Sequence, residues 1–308
     1  MHVRAATRGS ALARWQADRL SALIVAARPG TTVEIVVVET TGDLDRTTPL
    51  EEMGGQGVFV KEVQAAVLEG RADVAVHSAK DLPALTPDAL VLAAVPERAD
   101  PRDALVGCRF DDLAAGAVVA TGSIRRRAQL AHWRPDLEFA SLRGNIGTRL
   151  AKLDGADGFA AIVVAVAALD RLGLTPAVVD PLDQSVLLPQ VGQGALAVEC
   201  RSDDGSFLEL LAAVDDPTAH RTVAAERAFL AELGAGCDLP VAAHAVLMDG
   251  SVLGGGPDGD LRLTGSVSST DGTVLLIDER TGSDGPGMGR AIARSLLDER
   301  GGSSLLGR

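Results

Sequence analysis

The 308-residue chain contains no tyrosine, and only 3% of it is aromatic. That scarcity argues against a single-strand nucleic-acid binder built on base stacking. A net charge of −13 argues equally against general phosphate-backbone binding. No apolar run reaches the roughly 18 residues of a membrane span. The longest, Phe159–Leu169, reads as a buried strand running into a helix. The opening segment Met1–Arg8 has no apolar stretch of signal-peptide length. Cys108, Cys200 and Cys237 lie far apart without a CxxC pair, and the histidines are scattered. Neither a disulfide framework nor a metal site is therefore expected. Together these absences imply a cytoplasmic protein with reduced thiols that engages neither nucleic acid nor membrane.

The composition is 46% hydrophobic and 23% charged, as in a globular protein, and the length calls for two or three domains. Only three of the 29 basic residues are lysines, namely Lys61, Lys80 and Lys152. Where almost every cation is arginine, a surviving lysine hints at a use for its compact ammonium. Arginine abundance alone means little, but its placement is uneven. Residues 121–150 carry six arginines against Asp136 and Glu138, a net +4 that leaves the other 278 residues at −17. Such a positive island in an acidic protein draws in anions.

The first two thirds alternate between strand and helix. Strands are predicted at Val3–Ala6, Val33–Val38, Asp73–His77, Ala117–Ala120, Leu137–Ala140 and Ala160–Val164. Helices are predicted from Ser10 (as N-cap) to Ala27 and at Val58–Glu69, Ile124–Trp133 and Ile146–Leu153. This rhythm indicates α/β architecture with mostly parallel sheets, whose ligands sit at the carboxyl ends of strands. Breaks near Pro96–Pro101 and Pro189–Gly194 read as crossings between lobes. From about Pro217 the pattern becomes a small α+β domain. It has a helix at Thr218–Leu233, strands at Val241–Leu247, Leu261–Val267 and Val274–Asp278, and a last helix near Gly287–Glu299. The Gly-rich stretch Thr40–Gly57 reads as a mobile loop or lid.

Several constellations carry chemistry. Thr121-Gly122-Ser123 leads into Ile124-Arg125-Arg126-Arg127, where backbone N–H groups and guanidinium forks would converge on an anion. Leu142-Arg143-Gly144-Asn145-Ile146-Gly147-Thr148-Arg149 repeats the layout. A solvated helix face is the alternative for either run alone. His77-Ser78-Ala79-Lys80-Asp81 sets a lysine and a carboxylate at a strand end, for charge stabilisation, for proton transfer or as a local ion pair. Gly192-Gln193-Gly194-Ala195-Leu196-Ala197 matches the dinucleotide pattern GxGxxG/A, but a strand follows where a helix is required. Cys237 sits in a glycine-rich loop, open to attachment or, as commonly for a free cysteine, simply buried.

In order, these segments resemble porphobilinogen deaminases. The resemblance runs through Ala6–Ser10, Gly57–Glu62, His77–Pro83, Asp100–Ala104, Thr121–Arg126, Leu142–Leu150, Leu188–Ala195 and the Cys237 loop. It implies two periplasmic-binding-protein-like lobes, 1–97 with 195–214 and 102–190, plus a C-terminal cofactor-attachment domain at 217–308. It implies a dipyrromethane cofactor held by a thioether to Cys237. On it, four porphobilinogen molecules would be added head to tail with loss of ammonia. Hydrolysis would then release hydroxymethylbilane, for porphyrin and heme biosynthesis. Asp81 matches the catalytic carboxylate. Lys80, Ser10, Thr121, Ser123, Arg125, Arg126 and Arg143 would join Cys237 in holding the cofactor, and Arg8, Arg149 and Gln193 would bind substrate. A monomer is implied.

The chain departs from that family at Glu52 and Gln56, where lysines are usual, and at Gly9 and Gly122, where polar residues are commoner. Two rival readings are a non-catalytic carboxylate-binding protein on the same two-lobed fold and a homologue that has lost activity. The first would need neither the third domain nor Cys237, and would carry an export signal. Against the second, Lys80, Asp81 and Cys237 all remain.

Overall fold

The computed structural model describes residues 1–40, 57, 60–153, 155, 158–234, 239–248 and 259–307. Cys237, nearly all of the 40–57 loop with Glu52 and Gln56, and the start of the expected 58–69 helix lie outside the described residues.

In the first lobe β1 (His2–Arg8) pairs in parallel with both β2 (Thr32–Val38) and β3 (Val74–Ser78). Between β1 and β2 runs α1 (Ala11–Ala27), capped by Ser10, whose side chain accepts from the Ala13 amide. Its buried residues Ala13, Gln16, Ala17, Leu20 and Ile24 form the i, i+3, i+4 stripe that seals one sheet face. α2 (Lys61–Leu68) packs Val63, Ala66 and Val67 beneath Ala6 and Ala75. The sheet then gains β4 (Leu90–Ala94) and β10 (Leu196–Arg201), in the order β2-β1-β3-β10-β4.

The second lobe repeats the plan. β6 (Val118–Ala120) pairs in parallel with β7 (Glu138–Ala140) and β8 (Ala161–Ala165), with α3 (Ile124–Trp133), α4 (Ile146–Ala151) and α5 (Val166–Leu172) following the three strands in turn. β5 (Asp103–Val106) and β9 (Val179–Pro181) complete the order β7-β6-β8-β5-β9.

The expected mostly parallel sheets need one correction. In each sheet the strand just after a crossing, β5 or β10, lies antiparallel to both neighbours. The chain thus passes once into the second lobe and once back, and the two crossings touch where Ala99 N donates to Gly194 O at 3.1 Å. Gly194 has φ +85°, and a Cβ there would collide with the Ala99 carbonyl. The dinucleotide-like glycines therefore serve the crossing, as the strand behind them required.

After α6 (Gly205–Ala212), the third unit begins at Asp216, which caps α7 (Pro217–Glu232) with Pro217 in the first turn. The antiparallel sheet β11 (Val241–Leu247), β12 (Leu261–Ser268) and β13 (Leu275–Gly282) packs against α7 and α8 (Gly285–Arg294) around Phe229, Leu263 and Ile292. A π turn, Ser295–Glu299, extends α8 toward the short α9 (Gly302–Leu305).

One buried carboxylate docks this unit onto the crossings. Glu226 of α7 takes both terminal nitrogens of Arg98, at 2.7 and 3.1 Å. It also accepts from the amides of Gly192 (2.7 Å) and Ala245 (2.9 Å). Burial alone would raise Glu226, but Arg98 and His244 outweigh it and hold the group at about 2. Its contribution is complete above the ordinary glutamate range and is lost as pH falls toward 2. Glu226→Ala leaves Arg98 buried and uncompensated, so urea titration is expected to show a loss of about 3–5 kcal/mol. The difference from the parent should narrow in acid.

Candidate active site

Four strand ends carry most of the expected residues, and those of the two lobes lie near enough to act on one another. Arg8 ends β1 and is followed by Ser10. A single 3₁₀ turn, Ala79–Asp81, follows β3 and carries Lys80 and Asp81. A pocket at these two ends is lined by Arg8, Ser10, Gln16, His77, Ser78 and Asp81. Gln16 Nε2 donates to Ser78 Oγ at 2.7 Å, and Ser10 Oγ is occupied as the α1 cap. Just behind, buried Glu199 accepts from Gln64 Nε2 at 2.8 Å and lies 3.3 Å from His77 Nε2.

The opposite wall follows β6 and β7. Thr121 Oγ1 accepts from Ser123 N at 3.2 Å, and Ser123 caps α3 by accepting from Arg126 N. Asn145 caps α4 through Thr148 N. The capping side chains thus take N–H groups that the sequence reading had offered to an anion. A Cβ on Gly122 would sit 2.6 Å from Leu142 O, so a glycine here lets the two arginine-bearing loops close together. Arg143 is half-buried, and Arg149 Nε donates to Gly144 O at 2.8 Å. Burial, then Arg126, lower Arg149 to about 10 against the opposing pull of Asp81. Asp81 and Arg149 thus face one another across the lobes.

Arg125 and Arg126 do not form a solvated helix face. They are 3% and 6% exposed, and both bind Asp103, the first residue of β5. Arg125 Nη2 donates to Asp103 Oδ2 and Arg126 Nη2 to Asp103 Oδ1, each at 2.7 Å. Their other terminal nitrogens are held by Leu188 O (2.7 Å) and Val163 O (2.9 Å). The Nε atoms of both are buried with no hydrogen-bond partner among the described residues. Burial would raise Asp103, yet Arg126, Arg125 and then Lys80 hold it far below the carboxylate range.

Gln193 lies behind these groups. It is fully buried, its Nε2 donates to Asp103 Oδ1 (2.9 Å) and Pro101 O (2.6 Å), and its Oε1 accepts from Lys80 Nζ at 3.2 Å. Its amide is committed on both sides, to Lys80 and to Asp103. Asp103 itself has no role in the sequence reading. The available signal was an acid opening the otherwise apolar strand Asp103-Ala104-Leu105-Val106, since a buried carboxylate demands partners. Arg171 was also missed. It donates to Gly194 O at 2.6 Å and lies 5.4 Å over the Trp15 ring, joining α5 to α1 beside the crossings. Trp15 and Arg171 lie far apart in the chain, with no local pattern linking them.

Two α/β lobes with five-stranded sheets, a basic cluster drawn from both and a small third domain with a three-stranded sheet define the class. Family models agree over nearly the whole chain. The porphobilinogen deaminase, dipyromethane cofactor binding domain matches residues 3–209, and the porphobilinogen deaminase C-terminal domain matches residues 220–298. The chain belongs to the porphobilinogen deaminase family, a family of deaminating transferases of porphyrin biosynthesis. Among solved structures it is similar to the methionine binding protein MetQ, at 14% identity over 73% of this chain and 94% of that one, with a TM-score of 0.43. It is also similar to YhfZ from Shigella flexneri, at 19% identity over 76% and 91% with a TM-score of 0.39. At that distance nothing about ligands carries over. No described helix is long and apolar enough to cross a membrane.

Lys80 supplies a titration that can be measured. Burial and then Arg126 lower it to about 8, against the opposing pull of Asp81 and Asp103. Its ammonium is therefore lost as pH rises through 8. The kcat/KM for porphobilinogen is expected to fall over that limb, and Lys80→Arg should carry the limb beyond pH 10. An unchanged limb in that variant would remove Lys80 from it.

Proposed function

We propose that the cleft binds a dipyrromethane group anchored at Cys237 and performs the hydroxymethylbilane synthase reaction. In it, four porphobilinogen molecules are joined head to tail with loss of ammonia before hydrolysis. The observation that carries this reading is a basic cluster drawn from both lobes, Lys80 with Arg125, Arg126 and Arg149, in which Asp103 holds the arginine pair and Asp81 acts on Lys80 and Arg149.

The residues present fit such a group. Each pyrrole ring of the substrate bears two carboxylates, and the cleft offers donors almost exclusively. The buried, unpartnered Nε atoms of Arg125 and Arg126 are orphans that a carboxylate would satisfy. Lys80, Ser10, Thr121, Ser123 and Arg143 complete the set that would hold the cofactor, while Arg8 and Arg149 would receive the incoming substrate. Bound there, the cofactor supplies the α-position to which the first porphobilinogen is joined, and it stays on the enzyme after hydrolysis.

Asp81 is the group suited to the chemistry. Lining the pocket with Arg8 and Ser10, its carboxylate can accept a pyrrole N–H and stabilise positive charge on that nitrogen as ammonia departs. The arginines fix the carboxylates so that consecutive rings meet in a reactive orientation. A carboxylate-binding protein without turnover is disfavoured by the third domain and by the matched family.

Asp81→Asn tests the assignment. Its intact mass should equal that of the parent enzyme less about one dalton for the substitution, while ammonia release from porphobilinogen falls about 100-fold or more. Turnover at the parent rate would remove Asp81 from this role.

A further inference from the structure

Asp103 lies between the two walls of the cleft and is 0% exposed. Its oxygens accept from Arg125, Arg126 and Gln193 at 2.7, 2.7 and 2.9 Å. With their remaining terminal nitrogens on the carbonyls of Leu188 and Val163, both guanidinium groups are pinned at two points. Among the described residues, the buried Nε atoms of both have no hydrogen-bond partner. Gln193 extends the same anchor to Lys80 Nζ on the other lobe, through its Oε1 at 3.2 Å. Residues 80, 103, 125–126 and 193 come from both lobes and the return crossing, and one carboxylate sets their relative positions.

We propose that Asp103 is the positioning residue of this cleft. By gripping Arg125, Arg126 and the Gln193 amide at once, it fixes the arginine pair and, through Gln193, the Lys80 ammonium to receive the carboxylates of a pyrrole chain. The ligand's identity comes from the reading above; the geometry stands without it. Buried partners that orient charged groups in this way commonly set their affinity as strongly as the contact residues do. An asparagine at 103 would turn an N–H toward a guanidinium donor and remove the negative charge that the two arginines share.

Lys80 is the natural reporter. The charged groups facing it are Arg125 and Arg126 from α3, Asp103 from β5 and its neighbour Asp81. Because the chain has only three lysines, selective ¹³C labelling resolves each, with Lys80 assigned through Lys80→Arg. In Asp103→Asn the Lys80 midpoint is expected to move about one pH unit below its parent value, while Lys61 and Lys152 stay in place. The porphobilinogen KM should rise about tenfold, with kcat changing less. A Lys80 midpoint equal to the parent's, or a KM within about twofold of it, overturns the proposal. Should Asp103→Asn not fold, the same Lys80 comparison is made between Arg125→Gln and the Asp103→Asn/Arg125→Gln double variant, which keeps the cluster's parent net charge. There too an unmoved midpoint overturns it. If the parent enzyme itself does not consume porphobilinogen, the functional reading falls, and the lysine titration still decides the role of Asp103.

Discussion

The clasp of Asp103 on Arg125, Arg126 and Gln193 is the interaction on which the cleft is built. Two guanidinium groups cannot be buried side by side without an anion, because the desolvation of each would exceed any gain from packing. One carboxylate, spared solvent by its place at the head of β5, makes their burial possible. It is itself kept ionised by the cations it holds. Glu226 solves the same problem one layer back, where it binds Arg98 and ties the third domain to both crossings. The lobes and the C-terminal unit thus meet at two buried anions, each surrounded by donors from distant segments.

This arrangement explains how an acidic protein presents a basic interior. The exterior charge of a chain at −13 is screened over about 8–10 Å by physiological salt, whereas the cleft groups are shielded from water and act at short range. Lys80 and Arg149 are both lowered by burial and by neighbouring cations. Both lie among other cations, with Asp81 opposing the lowering in each case.

Much of the frame was legible in the sequence, and the reasons are local. α1 and α3 begin where Ser10 and Ser123 cap them, and β1, β2 and β8 fall within a residue or two of the apolar runs. The short strands β4, β5 and β9 were not seen, because their pairing comes from residues about 55 to 110 positions away. The antiparallel insertion of β5 and β10 is a property of the crossings rather than of either strand's composition. In the cleft, residue types suggested anion chemistry. Which arginines face a ligand and which are held from behind depends on Asp103 and Gln193, whose partners only the fold brings near. Gln193 looked like a contact residue for that reason.

The proposed anchor at Cys237 carries the central claim, that the chain builds its product on a covalent pyrrole primer, and intact mass measures it directly. Freshly expressed protein, with the host's pyrrole supply intact, should exceed the bare-chain mass by two linked pyrrole units, and Cys237→Ser should lack that excess. A bare-chain mass for the parent protein would contradict the account.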